Sequence, residues 1–184
     1  MNSHRLISED SLTSLIKKEN ISDFSELIEF VKQFPYGRNS NRTDLSLVIK
    51  EKRGTCSSKH AFLKHVADLN YIKNVTLVLC VFKMNASNTP AIQTILKKYD
   101  LEYIPEAHCY IEYQDNKIDA TFKNSDIEKL KKDILLNEEI EAYQVNNYKI
   151  QFHKEFLKQW IIKNKIKYSE TKLWDIREQC IERL

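Results

Sequence analysis

The run "NVTLVLCVFKM", residues 74–84, constrains this chain more than any other stretch. It is β-branched and apolar at successive positions rather than alternate ones, so both of its faces need cover. It reads as a central strand. Its apolar core is far too short to cross a bilayer, and no membrane partner is expected. Upstream, apolar residues recur at helical spacing: Leu12, Leu15 and Ile16 within 9–20, then Phe24, Leu27, Ile28 and Val31 within 23–33. Ser22 is the expected cap of the second helix and Pro35 its stop. A polar loop, "FPYGRNSNRTD", follows; "LSLVIKEK" reads as an extended or mixed segment. From Cys56 to about Asn70 the pattern predicts a helix burying Phe62, Leu63, Val66 and Leu69.

Downstream, "SNTPAIQTILKKYDL" opens a helix, with Asn88 or Thr89 as cap and Pro90 in the first turn. "AHCYIEYQDNKIDATF" holds two β-rich runs around Gln-Asp-Asn-Lys, a hairpin pattern. "NSDIEKLKKDILL" reads as a helix entered through a Ser125/Glu128 capping box. A further strand is expected before a helix at 153–164. The last helix, in "SETKLWDIREQCIERL", packs Trp174, Ile176, Cys180, Ile181 and Leu184. The sum is an α+β chain with a small, mainly antiparallel sheet. At 184 residues it suffices for one domain, 1–184, with a core about 22–125 and a helical extension about 126–184.

A net charge of +3, with basic residues interleaved among acids, reads as solvated helix faces and gives no case for a nucleic-acid partner. The cysteines at 56, 80, 109 and 180 form no CxxC pair, which favours free thiols in a reducing compartment. The N-terminal residues lack the layout of a secretory signal, so the expected location is cytoplasmic.

Three segments carry chemistry: Gly54-Thr55-Cys56 at a helix start, His108 on a strand, and Asp119 on the strand after it. A thiol at a helix N-terminus lies where backbone donors stabilise a thiolate. An imidazole beside it takes its proton, and a carboxylate holds that ring in one tautomer. The Cys56 backbone N–H, a free first-turn donor, serves as half of an oxyanion hole. A two-residue turn at Asp115-Asn116 would set Asp119 opposite Glu112, about 13 Å from His108 at roughly 3.3 Å per residue. Contact then requires a wider loop or a bulge.

These motifs resemble the core of the transglutaminase-like cysteine enzymes, a branch of the papain-like fold. Gly54 and Cys56, His108 with Glu112, and Asp119 with Thr121 fall on the glycine-x-cysteine, His-x-x-x-Glu and Asp-x-Thr positions of that core, over roughly residues 50–125. The resemblance implies attack by Cys56 on an amide or peptide carbonyl, a thioester intermediate, and His108 held by Asp119 as base and acid. Peptidase, amidase, deamidase and acyl-transfer outcomes all belong to such folds, and no metal or organic cofactor is implied. The substrate would be a peptide, a protein or a small amide; the oligomeric state stays open. No tryptophan precedes the cysteine to supply the second oxyanion donor, so Gln33, Tyr36, Asn39 and Asn41 are the candidates. Arg38 and Arg42, in the same loop, are candidates to grip a substrate carboxylate. The rival reading is a catalytically inactive binding module on the same fold.

Plainer roles are expected elsewhere. Cys80 and Cys180 belong to apolar patterns, and Cys109 should face away from His108 and pack. His60 follows Cys56 by one helical turn, as a rival base, a zinc ligand or a packed residue. His65 and His153 read as surface or packed residues, and His4 as part of a loose terminus. Glu106 and Glu112 read as strand-edge solubility.

Overall fold

The computed structural model describes residues 4–184. Strand β1 (Val75–Asn85) is central, as its two apolar faces require. It pairs antiparallel with β2 (Tyr103–Tyr113) on one side and with β4 (Ile134–Ile140) on the other; β3 (Asn116–Ile118) lies outside β2, giving the order β3-β2-β1-β4. The architecture is α+β. Leu77 and Leu79 of β1, with Cys109 and Ile111 of β2, pack into one core with α1 (Ser11–Lys17), α2 (Phe24–Lys32), α3 (Leu47–Lys50) and α4 (Cys56–Leu69). Phe82 and Met84 pack into a second, with α5 (Gln93–Tyr99), α6 (Asn147–Asn164) and α7 (Glu170–Ile181). Each fully buried leucine or phenylalanine contributes about 1.5–3 kcal/mol. Phe62 of α4 is wholly enclosed, so truncating it to alanine would cost about 3–5 kcal/mol.

Several local expectations give way to stronger partners. The cap of α2 is Asp23, whose carboxylate accepts the Ser25 N–H at 2.8 Å, while Ser22 donates its own N–H to Glu26. "LSLVIKEK" contains the short helix α3. Asn88 is drawn from a capping role to Lys83 O and Asp133, and Pro90 opens a 3-10 turn ahead of α5. His4 is tied by its ring to the Tyr113 hydroxyl at 2.5 Å, not loose.

The largest departure lies at 125–140. A 3-10 stretch, Ile127–Asp133, is capped by Asp126 rather than by a Ser125/Glu128 box; Ser125 takes the Phe122 N–H instead. Strand β4 then covers the open edge of β1 with a bulge at Val81/Phe82. Pairing to a waiting strand outranks the local helical pattern. Ile134–Ile140, within the span expected as a helical extension, therefore completes the sheet, while α6 and α7 further along that span are helical.

The hairpin turn falls one residue earlier than expected. Gln114 and Asp115, at φ 50° and 60°, form a two-residue turn with Tyr113 opposite Asn116. Extended past Ile118, that register sets Asp119 beside Tyr110, about 7 Å along from His108 at roughly 3.3 Å per residue. No bulge is needed. Because β3 stops at Ile118, the edge of β2 beyond it is left open.

Candidate active site

Helix α4 presents its N-terminus at that open edge. Thr55 caps it: its hydroxyl accepts the Ser58 N–H at 3.3 Å, and Ser58 Oγ accepts the Thr55 N–H at 2.9 Å. Gly54 has an ordinary negative φ. A Cβ there would fall 2.8 Å from both Ser58 Oγ and Lys59 Cγ, so close approach is what the glycine supplies. Cys56, the first residue of the helix, is 8% exposed.

His108 sits on β2, directly opposite Cys80 of β1. Its Nε2 meets Asp119 Oδ2 at 3.0 Å, which leaves Nδ1 for the sulfur it hydrogen-bonds. Asp119 Oδ1 accepts the Thr121 N–H at 2.9 Å, so the carboxylate is held on both sides. The residues expected to form the triad are brought together. Glu112 is not among them; it lies 3.9 Å from Lys117.

The electrostatics follow from this geometry. Burial pushes the Cys56 thiol up, but the Lys149 ammonium and the His108 imidazolium outweigh it and draw the pKa down to about 6. The Cys109 backbone N–H, on the free edge of β2, adds to this stabilisation. Burial also opposes the charged form of His108, yet Asp119 and the Cys56 thiolate lift it well above the usual imidazole range. Desolvation notwithstanding, His108 holds Asp119 well below the ordinary carboxylate range. Both shifts favour the thiolate–imidazolium pair over the neutral thiol and imidazole.

Sequence reasoning missed Lys149. From the first turns of α6 its ammonium reaches Cys56 Sγ at 3.7 Å and donates to Ser57 Oγ at 2.6 Å. The chain is rich in lysine, and no local pattern distinguishes this one. Glu106 was also misjudged as a solubility residue. It is buried, and Arg177 of α7 grips it through two bonds of 2.6 Å each.

His60 is wholly buried and spans two segments of the site. Its Nε2 accepts the Ala120 N–H at 2.7 Å, which obliges Nδ1 to donate to Cys56 O at 2.6 Å. Both nitrogens are committed, and burial pushes the ring's pKa down to about 4. It is a neutral strut between the cysteine helix and the aspartate. Lys59, also buried, donates to Phe34 O and Thr121 O at 2.7 Å each, tying the loop before Tyr36 to the segment after Asp119. His153 packs as expected, donating from Nε2 to Pro105 O at 2.9 Å. Cys80, Cys109 and Cys180 are wholly buried, and all four thiols are free.

Of the oxyanion candidates, Tyr36 stands at the site: it lines the same clefts as Cys56, and burial and the neighbouring sulfur raise its hydroxyl pKa to about 12. Gln33 is exposed and turned onto Glu29 O. Asn39 spends its amide on Leu47 O, Glu51 and Arg53 O. Asn41 closes a local turn on Thr43. The Cys56 N–H has no protein acceptor among the described residues.

Two clefts meet at Tyr36, Cys56 and Glu106. One, about 500 Å3, contains Ser57, Lys149, Arg38 and Arg42; Arg38 is paired with Glu178 at 2.9 Å, and Arg42 has no ion-pair partner among the described residues. The other, about 420 Å3, contains His108 and Asp119 with Phe82, Met84, Pro90 and Phe122. Among the described residues no group of three or more His, Cys, Asp or Glu is placed to hold a metal ion, and no helix is long and apolar enough to cross a membrane. Comparison with protein-family models, curated proteins and solved structures gives no match.

Proposed function

We propose that this chain is a transglutaminase-like thiol enzyme acting on an amide or peptide carbonyl, with Cys56 as nucleophile, His108 as proton carrier and Asp119 as the group that fixes its ring. One observation carries the reading: a sulfur at the mouth of a helix is linked through one imidazole to a carboxylate 3.0 Å beyond it, where two clefts meet. The chain order Cys, His, Asp and the packing of α4 on an antiparallel sheet support a papain-like core.

The chemistry is as follows. The thiolate attacks the carbonyl carbon, and the π pair moves onto oxygen. That oxyanion is met by the Cys56 N–H and by a second donor, for which Tyr36 and Lys149, both lining the cleft with Cys56, are the candidates. On collapse the C–N bond breaks, and the leaving nitrogen takes the proton from His108 Nδ1, giving an amine and a thioester. His108, now neutral, accepts a proton from water or an acceptor amine as it attacks. The thiolate then departs as the acyl product forms. Water is the favoured acceptor because it is always present. Four free thiols support a reducing, cytoplasmic setting.

Brief iodoacetamide pulses at stepped pH, read by peptide mass spectrometry, test the reading. Fast alkylation of Cys56 alone, with a midpoint near 6 and lost in His108→Ala, is the expected result. Slow, equal labelling of the accessible thiols would instead mean a catalytically silent binding module.

A further inference from the structure

The two clefts differ in chemistry, and the triad fixes which half of a substrate each receives. His108 and Asp119 line only the cleft of about 420 Å3, whose apolar wall of Phe82, Met84 and Phe122 is bordered by Asp126, Lys129 and Arg183. The leaving nitrogen must collect its proton from His108, so the leaving group departs into that cleft, between Phe82, Met84 and Phe122. The acyl portion then extends the other way, past Ser57 and along the first turns of α6.

That second cleft is rich in cations. Its two carboxylates are already engaged: Glu106 by Arg177, and Glu178 by Arg177 and Arg38. Lys149 faces the sulfur. Arg42 and Lys154 remain without a carboxylate partner among the described residues, Lys154 lying over the Trp174 ring at 5.1 Å. Asn147, Lys149 and Ile150 at the start of α6 line the same space, and that helix start carries no side-chain cap. Unneutralised cations lining a concave surface favour an anion.

Building on the thiol-enzyme reading, we propose that the acyl donor is an acidic peptide segment, carrying a carboxylate next to the scissile amide that Arg42 and Lys154 bind.

Dipeptidyl vinyl sulfones test this, in a set differing only in whether the residue beside the warhead is Glu, Gln or Lys. Second-order labelling rates of Cys56 are measured by intact mass at low salt, each divided by the iodoacetamide rate of the same protein. The Glu probe should outpace the Gln probe by about tenfold, with Lys slowest. The preference should collapse in an Arg42→Ala/Lys154→Gln variant and weaken with added salt. Equal rates for Glu and Gln, a faster Lys probe, or a Glu preference untouched by the double substitution would each overturn the proposal. Failure of the underlying enzyme reading is visible separately, as slow iodoacetamide labelling that does not depend on His108.

Discussion

The Lys149 ammonium stands 3.7 Å from the sulfur of Cys56, carried there by a helix 93 residues further along the chain. An imidazolium on one side and an ammonium on the other make the sulfur a thiolate with two counter-charges. Burial alone would leave it a neutral thiol. The last third of the chain is thus part of the site's electrostatics.

Replacing Lys149 with methionine removes one counter-charge while keeping most of the packing. The alkylation midpoint of Cys56 should move from about 6 toward the alkaline by about one to two pH units, and Lys149→Arg should restore most of the difference. An unmoved profile in the methionine variant would mean that the ammonium does not act on the sulfur.

Asp119→Asn keeps the shape but places an amide against His108 Nε2. Facing an N–H donor, Nε2 becomes an acceptor and the proton moves to Nδ1, where it blocks removal of the thiol proton. Cys56 reactivity at neutral pH should fall by about a hundredfold or more.

His60 makes folding acid-sensitive. Its folded pKa, about 4, lies below the ordinary value of 6.5, so the unfolded chain takes up a proton at a pH where the folded chain does not. The His60 contribution to stability falls as pH drops from about 6.5 toward 4, by up to about 3 kcal/mol, and levels off below that, where loss of the Asp119 carboxylate takes over. In His60→Gln, urea titrations at stepped pH should lose the His60 share of that slope and keep the share owed to buried His153, whose pKa is also held below the ordinary imidazole value.

Gly54→Ala should destabilise the fold by about 1–3 kcal/mol, since its methyl would meet Ser58 Oγ and Lys59 Cγ at 2.8 Å. Gly37→Ala is the control: its methyl would meet only the mobile end of Arg53, at 3.0 Å, and should be milder. Denaturant midpoints of the two variants give the comparison.

The sequence by itself determined the elements whose pattern is strong and local. The doubly apolar run became the central strand, the stripe Phe62, Leu63, Val66 became the buried face of α4, and the Gly-Thr-Cys entry became a capped helix start. It also named the sulfur, ring and carboxylate that meet, because chemistry of that type leaves a signature in residue order. Tertiary structure alone decided the rest. A one-residue shift of the hairpin turn changed the distance from His108 to Asp119, and an open edge on β1 turned a helical pattern into β4. Lys149, Glu106 and His60 acquired their roles from neighbours far away in sequence. Local preferences are worth fractions of a kcal/mol per residue, whereas strand pairing, burial and a buried charge are each worth more, so long-range partners prevail where the two conflict.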